Sequence, residues 1–393
     1  MNALMDTYSP PDLMFDRGEG AYMFTEDGTR YLDFISGISV NALGHSHPKA
    51  VAALKAQAEK LWHTSNMFKV RGRYELAEKY TRDSFADRVF FTNSGTEAIE
   101  CALKTARHYH FANGRPDRYR IISFTGAFHG RTFGAINAGG NAKYLEGFGP
   151  RMEGFDQVEF ADMEALKAAI TEETAAIILE PVQGEGGVRA FTEAQLRQIR
   201  QLCDEHGLVL IYDEVQCGAG RTGKLWAHEW AGDAQPDIMA VAKGVGGGFP
   251  MGACLANEKT AASMVVGTHG STFGGNPLAM AVGNVVYDEI TKDGFFDHVI
   301  EVSNFLHQQL AGLADSHKDK IEEVRGKGLL VGLKLREGFL NKDLVVAARD
   351  RHLLIGAAGD NVARMAPALN IEESHARDAV ALLDEALGAL KSA

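Results

Sequence analysis

Two short apolar runs, each closed by an ionisable residue, constrain this chain more than any other feature. Leu208 to Tyr212 is apolar and rich in branched residues, the pattern of a strand buried on both faces of a parallel sheet. Asp213 and Glu214 follow it, at the carboxyl end where open α/β sheets place their ligands. The second run, Ile238 to Ala242, leads into Lys243 and a cluster of glycines at 244, 246, 247 and 248. An ammonium taken from water into such a place loses basicity, and the neutral amine it presents can condense with a carbonyl. Taken singly, Asp213 reads equally as a turn residue and Lys243 as a solvated strand end. Together they are the two groups that pyridoxal phosphate requires, an acid for its protonated ring nitrogen and an amine for its aldehyde.

The runs before and after keep the same alternation of strand and helix. Strands are expected at Arg88–Thr92, Tyr119–Phe124 and Ala175–Leu179, and helices after Asn93, from Phe191 to His206, and over PLAMAVGNVVYDEI. That order predicts a largely parallel sheet covered on both faces. From Gly294 the pattern changes to helices at Glu301–Leu313, Asp343–Arg351 and Ser374–Leu390 with shorter strands between, a smaller α+β unit. Ala21–Phe24 and Tyr31–Phe34 flank a glycine-containing turn and read as a hairpin.

Composition narrows the functional classes. A net charge of −12 over 393 residues argues against a nucleic-acid surface, which needs a basic face. The four cysteines are scattered without metal-ligand spacing, so neither a disulfide framework nor a zinc site is indicated. No basic start with an apolar segment opens the chain and no run is long enough to span a bilayer, so a cytoplasmic protein is expected. His45 and His47 have no third ligand nearby and read as hydrogen-bonding loop residues; no metal is expected.

Three further loops carry chemistry. Asn93-Ser94-Gly95-Thr96-Glu97 joins a strand to a helix, where free N–H groups and the helix dipole suit a phosphate. The same residues also make an ordinary helix cap. Phe128 closes another strand and can stack on a planar ring, and Arg131 offers a fork of donors to a carboxylate; a core phenylalanine beside a surface arginine is the plain alternative. Glu180 and Glu185 sit in the acid- and glycine-rich stretch after the Ala175 strand. A nicotinamide dehydrogenase would also use strand, glycine turn and helix, but the glycines after Lys243 follow a lysine and do not open a βαβ unit.

In order along the chain, NSGTEA, AFHGRT, EPVQGEGG, DEVQCGAGRTG, AKGVGGGFPMGA and HGSTFGGNPLA resemble the motifs of the class III pyridoxal phosphate-dependent aminotransferases. SVNALGHSHP, LWHTSN and GDNVARMAPALN extend the resemblance over nearly the whole chain. It implies an α/β fold of the fold type I pyridoxal phosphate enzymes, with a seven-stranded, mostly parallel sheet in the large domain. Residues 46–284 would form that domain, 285–393 the small α+β domain, and 1–45 a segment packed with the latter.

The resemblance also assigns roles. Lys243 would carry the cofactor and Asp213 would pair with its ring nitrogen. Ser94, Gly95 and Thr96 match the phosphate turn, Phe128 the ring-stacking residue, and Glu214, Val215 and Gln216 the contacts that follow Asp213. Thr272 matches the residue that reaches the phosphate from the neighbouring subunit of a homodimer. Arg131, Ser271 and Asn41 match positions around the amine donor, Arg364 the arginine that grips an α-carboxylate, and Glu185 the acid that covers it. The implied reaction moves the terminal amine of N2-acetylornithine to 2-oxoglutarate in arginine biosynthesis. Ornithine, succinylornithine, succinyldiaminopimelate and 4-aminobutyrate transfer share every cofactor residue, and a catalytically silent cofactor-binding protein is the reading from another class. Ser46 and Ala368 depart from the usual motif residues without replacing a charge.

Overall fold

The computed structural model describes residues 3–392. The chain opens with a small antiparallel ribbon, β1 (Phe15–Glu19), β2 (Tyr22–Thr25) and β3 (Arg30–Asp33). The turn between β2 and β3 is tied by Asp27, whose carboxylate accepts the Thr29 amide at 3.1 Å. This is the hairpin that the glycine-containing turn predicts.

The central sheet contains β4 (Arg88–Thr92), β5 (Arg120–Phe124), β6 (Phe155–Val158) and β7 (Thr174–Leu179). A two-stranded ribbon, β8 (Val182–Gln183) and β9 (Arg189–Ala190), follows β7. The sheet is completed by β10 (Val209–Asp213), β11 (Ile238–Val241) and β12 (Gly252–Ala256), in the order β4-β12-β11-β10-β7-β5-β6. All neighbours are parallel except β12, which runs antiparallel to both β11 and β4. Sequence reading did not anticipate β12. The glycine cluster after Lys243 reverses the chain at once, with Gly247 and Gly248 at φ +52° and +111°, and a return that short cannot make the crossover a parallel strand needs.

Strand β10 shows why the sheet needs helices on both sides. Leu210 and Tyr212 enter one apolar cluster with Leu76, Trp226 and Met280. Val209 and Ile211 enter another, with Ala98, Ile99 and Ala102 of the Gly95–Ala112 helix. Each fully buried branched side chain contributes about 1.5–3 kcal/mol. The helix Glu193–His206 that feeds β10 starts in a capping box of Thr192 and Gln195 and stops at Gly207, φ +63°. Asn276 caps the Pro277–Ile290 helix through the Ala279 amide at 2.9 Å.

A second sheet, β13 (Ile321–Lys327), β14 (Leu330–Leu335), β17 (Val362–Met365) and β16 (Gly356–Ala358), is antiparallel. Helices Phe295–Ser316, Asn341–Arg349 and Glu373–Ala389 surround it. Their shared core takes in Leu32, Phe34 and Ala42 from the amino-terminal stretch, and β15 (Leu353–Leu354) pairs with β3. Among the described residues no helix is long and apolar enough to cross a membrane.

Candidate active site

A cavity of about 380 Å³ opens where the parallel strands end. Asp213 lies on its wall, 2 % exposed. Its Oδ1 accepts the Val215 amide at 3.0 Å, and His129 Nδ1 lies 2.8 Å from Oδ2. Facing it across the end of the sheet, Lys243 follows β11 with φ 49°, in the left-handed region. That conformation costs a non-glycine residue about 1–2 kcal/mol, so the surrounding fold holds the lysine where isolated chain would not put it. No hydrogen bond or ion pair holds Lys243 Nζ among the described residues. Burial is the main reason its pKa is lowered, Arg364 adds to the effect, and Glu185, Asp213 and Glu180 oppose it. The result is an amine biased toward its nucleophilic form.

The opposite wall is the turn after β4. Ser94 caps the Gly95–Ala112 helix, its Oγ accepting the Glu97 amide at 3.4 Å, while the Glu97 carboxylate takes the Asn93 side-chain amide at 3.0 Å. The first amides of a helix have no partner within it, so those of Gly95 and Thr96 are presented to the cavity as anion donors. Gly95 is there because a Cβ would stand 2.6 Å from Val215 Cγ1. Thr96 Oγ1 accepts the Arg131 amide at 3.2 Å and so ties the turn to the AFHGRT loop. Phe128 of that loop is half-buried on the cavity wall. The Arg131 guanidinium lies over the Tyr144 ring at 3.9 Å and the Phe128 ring at 5.5 Å.

At the side of the small unit, buried Arg364 on β17 contacts the Glu185 carboxylate and donates to Gln216 Oε1 at 2.9 Å. Gln216, which lines the cavity, links this pair to it. Burial works against the charge on Glu185, but Arg364 and Lys243 outweigh it and hold its carboxyl below the usual range. Arg364 Nε is buried with no acceptor among the described residues. Asn41 reaches toward the glycine cluster, and its Oδ1 would be 2.8 Å from a Cβ at Gly248.

Three expected residues stand elsewhere. The Glu214 carboxylate accepts the Ala227 and His228 amides at 2.5 and 2.9 Å and lies 2.7 Å from His228 Nδ1. Strand alternation takes it to the Tyr212 side, away from the cofactor stretch in which it was expected. Ser271 and Thr272 are not among the residues lining this cavity. Ser271 Oγ caps its own turn through the Gly274 amide at 2.9 Å, and Thr272 is exposed.

Sequence reading gave no role to His129, Glu180 or Tyr144. His129 follows Phe128 directly, and Glu180 follows an apolar strand much as Asp213 ends one, a pattern that marks the loop without assigning the acid a role. His45 Nε2 lies 2.7 Å from Asp33 Oδ2. Among the described residues no group of three or more His, Cys, Asp or Glu is placed to hold a metal.

A half-buried amine with no bonded partner among the described residues, a carboxylate held by two donors, a half-buried ring and a glycine-bounded nest of amides fit pyridoxal phosphate group by group. The family model described as aminotransferase class-III matches residues 5–387. The chain belongs to the class III aminotransferases. This family works with pyridoxal phosphate. Among its members, the acetylornithine aminotransferase of Mesorhizobium japonicum is 57 % identical over 379 residues, 96 % of this chain and 94 % of that one. The N-acetylornithine aminotransferase structure from Stenotrophomonas maltophilia superposes with a TM-score of 0.85 at 37 % identity, covering 97 % of this chain and 96 % of that one. An ornithine aminotransferase structure from Toxoplasma gondii, which shows partial occupancy of pyridoxal phosphate at its active site, gives a TM-score of 0.94 at 30 % identity, covering 99 % and 92 %.

Proposed function

We propose that this class III aminotransferase moves the terminal amino group of N2-acetyl-L-ornithine to 2-oxoglutarate. The products are N-acetyl-L-glutamate 5-semialdehyde and L-glutamate, a step of arginine biosynthesis in the cytoplasm. The observation that carries the reading is the pairing of an unbonded, partly desolvated Lys243 with Asp213 in one cavity, in a chain 57 % identical to a protein named for that substrate.

The bound cofactor supplies an aldehyde for the amine and an electron-poor ring that accepts the pair of electrons left when a proton leaves the substrate carbon. Lys243 Nζ would hold the cofactor and, as the one amine on the cavity wall among the described residues, would take that proton and return it. Burial lowers its basicity, which favours the neutral amine that a base must be. Asp213 holds the ring nitrogen, and His129 and the Val215 amide fix the carboxylate for it. The Gly95 and Thr96 amides with Ser94 would take the phosphate, and Phe128, Val215 and Gln216, which line the same cavity, would hold the ring. Arg364 takes the α-carboxylate of 2-oxoglutarate, with its unpartnered Nε available, when Glu185 yields it. With acetylornithine, Glu185 keeps Arg364 covered and Arg131, Ser271 and Asn41 contact the acylated end.

Exposed Thr272 does not line its own chain's cavity and would reach a phosphate from a second copy of the chain, so the working unit is a homodimer. Exposed Trp62, Met67, Phe68, Val265, Val266 and Phe273 supply an apolar face for it. Residues 1–45 and 285–393 act as one unit and 46–284 as the other. Comparing kcat/KM for acetylornithine, ornithine and 4-aminobutyrate tests the substrate; preference for either unacetylated amine overturns it.

A further inference from the structure

Glu180 follows β7 as Asp213 closes β10, and these strands are paired in parallel with Tyr212 opposite Leu179. Two carboxyl groups therefore stand side by side on the cavity wall, 3 % and 2 % exposed. Donors are divided unequally between them. Asp213 has the His129 ring and the Val215 amide; Glu180 has the Phe128 amide on Oε2, at 3.2 Å. The other charged groups that act on Glu180 are Lys243 beyond β11, Glu185, and Arg189 on β9. None of them is bonded to it among the described residues. Two adjacent anions in a desolvated place repel, and the proton settles on the member with fewer donors.

We propose that Glu180 is a positioning residue of the transfer reaction: an uncharged carboxylic acid that lines the cavity as a neutral donor and leaves Asp213 as the anion to pair with the ring nitrogen. The proposal rests on the cofactor reading above. Burial first, and then the Asp213 charge, push the Glu180 carboxyl well above its usual range. If Glu180 were ionised, a second negative charge beside Asp213 would compete for the cationic ring and for Lys243. Neutral, it fills the place with a donor that an amide can imitate and a hydrocarbon cannot.

Infrared difference spectroscopy of the cofactor-free and loaded protein reads this directly. The expected result is a carbonyl stretch of a protonated carboxylic acid near neutral pH that shifts in heavy water and is missing from Glu180→Gln. Glu180→Gln should lower kcat severalfold yet keep the pH limits of kcat/KM, while Glu180→Leu should lose about tenfold more. Absence of that band, or a displacement of the acidic limb by about one unit or more in Glu180→Gln, overturns the proposal. Should Glu180→Leu fail to fold, the Glu180→Gln spectrum and profile decide. Borohydride reduction separates the two readings: an adduct on Lys243 without the acid band sinks Glu180 alone, whereas an adduct on another residue sinks the cofactor assignment too.

Discussion

Asp213 and Glu214 are consecutive, both are buried, and each meets a buried imidazole, His129 at 2.8 Å and His228 at 2.7 Å. Chemically the two pairs are nearly the same, yet one borders a cavity and the other a packed interior. Asp213 continues the Val209–Ile211 side of β10, where strand ends leave open space. Glu214 continues the Leu210–Tyr212 side and ties β10 to the short helical turn Ala227–Ala231, with the His228 ring edge-on to Phe85 and tilted against Tyr212. The difference teaches that a strand's period of two, more than the identity of a buried acid, assigns it to chemistry or to stability.

The comparison can be sharpened by removing groups on each side and reading rate and stability separately. Lys243→Ala, on the cavity side, should cut turnover about 1,000-fold or more while far-ultraviolet circular dichroism stays that of the parent. Asp213→Ala should cost about 100-fold or more in kcat and lose less denaturation midpoint than Glu214→Ala, since it leaves one amide rather than two unpaired and its space faces the cavity. Glu214→Ala should reverse that balance. Removing one partner of a buried charged cluster costs about 3–5 kcal/mol by denaturant titration, and the two amides and His228 would be left unpaired. An Asp213→Ala protein as unstable as Glu214→Ala would break the distinction.

A smaller effect comes from Glu229, beside Glu214. Burial, then the Glu214 charge, raise its carboxyl to about 7. A folded pKa above the unfolded one means the folded state binds more protons in between, so this stability is complete below about pH 4.5 and is lost as pH rises through about 7. Glu229→Gln should flatten the dependence of denaturation midpoint on pH in that window and leave the pH limits of activity alone. If Thr272 reaches the phosphate of a second copy as proposed, Thr272→Ala should weaken cofactor binding modestly, by about 0.5–1.5 kcal/mol for one lost hydrogen bond, measured by reconstitution of the cofactor-free protein.

Much of this was legible in the residues. Asp213 and Lys243 announce themselves because an apolar run makes a charge at its end conspicuous, and Pro277–Ile290 matches its expected span because Asn276 and Pro277 punctuate it. Strand β6, FDQV, carries no apolar run and gave no signal. Strand β12 reads as the tail of the glycine cluster; its identity depends on the partners Val241 and Phe91 flanking Ala253 from distant segments. The direction in which Glu214 points, and the adjacency of Glu180 to Asp213, depend on strand register, which one chain read in isolation does not contain. The motif resemblance supplied residue roles, but not the hydrogen bonds that divide donors between neighbouring acids.

The antiparallel course of β12 has a consequence for how the protein is born. It sits between β4 and β11, so the sheet edge that carries the phosphate turn is joined to the strand before Lys243 through a segment translated after both. A nascent chain that has emerged only as far as the lysine has Asp213, Lys243 and the phosphate turn in hand but no seam holding the halves of the cavity together. Assembly of the catalytic centre is thus a late event in synthesis, contingent on residues 252–256 leaving the ribosome.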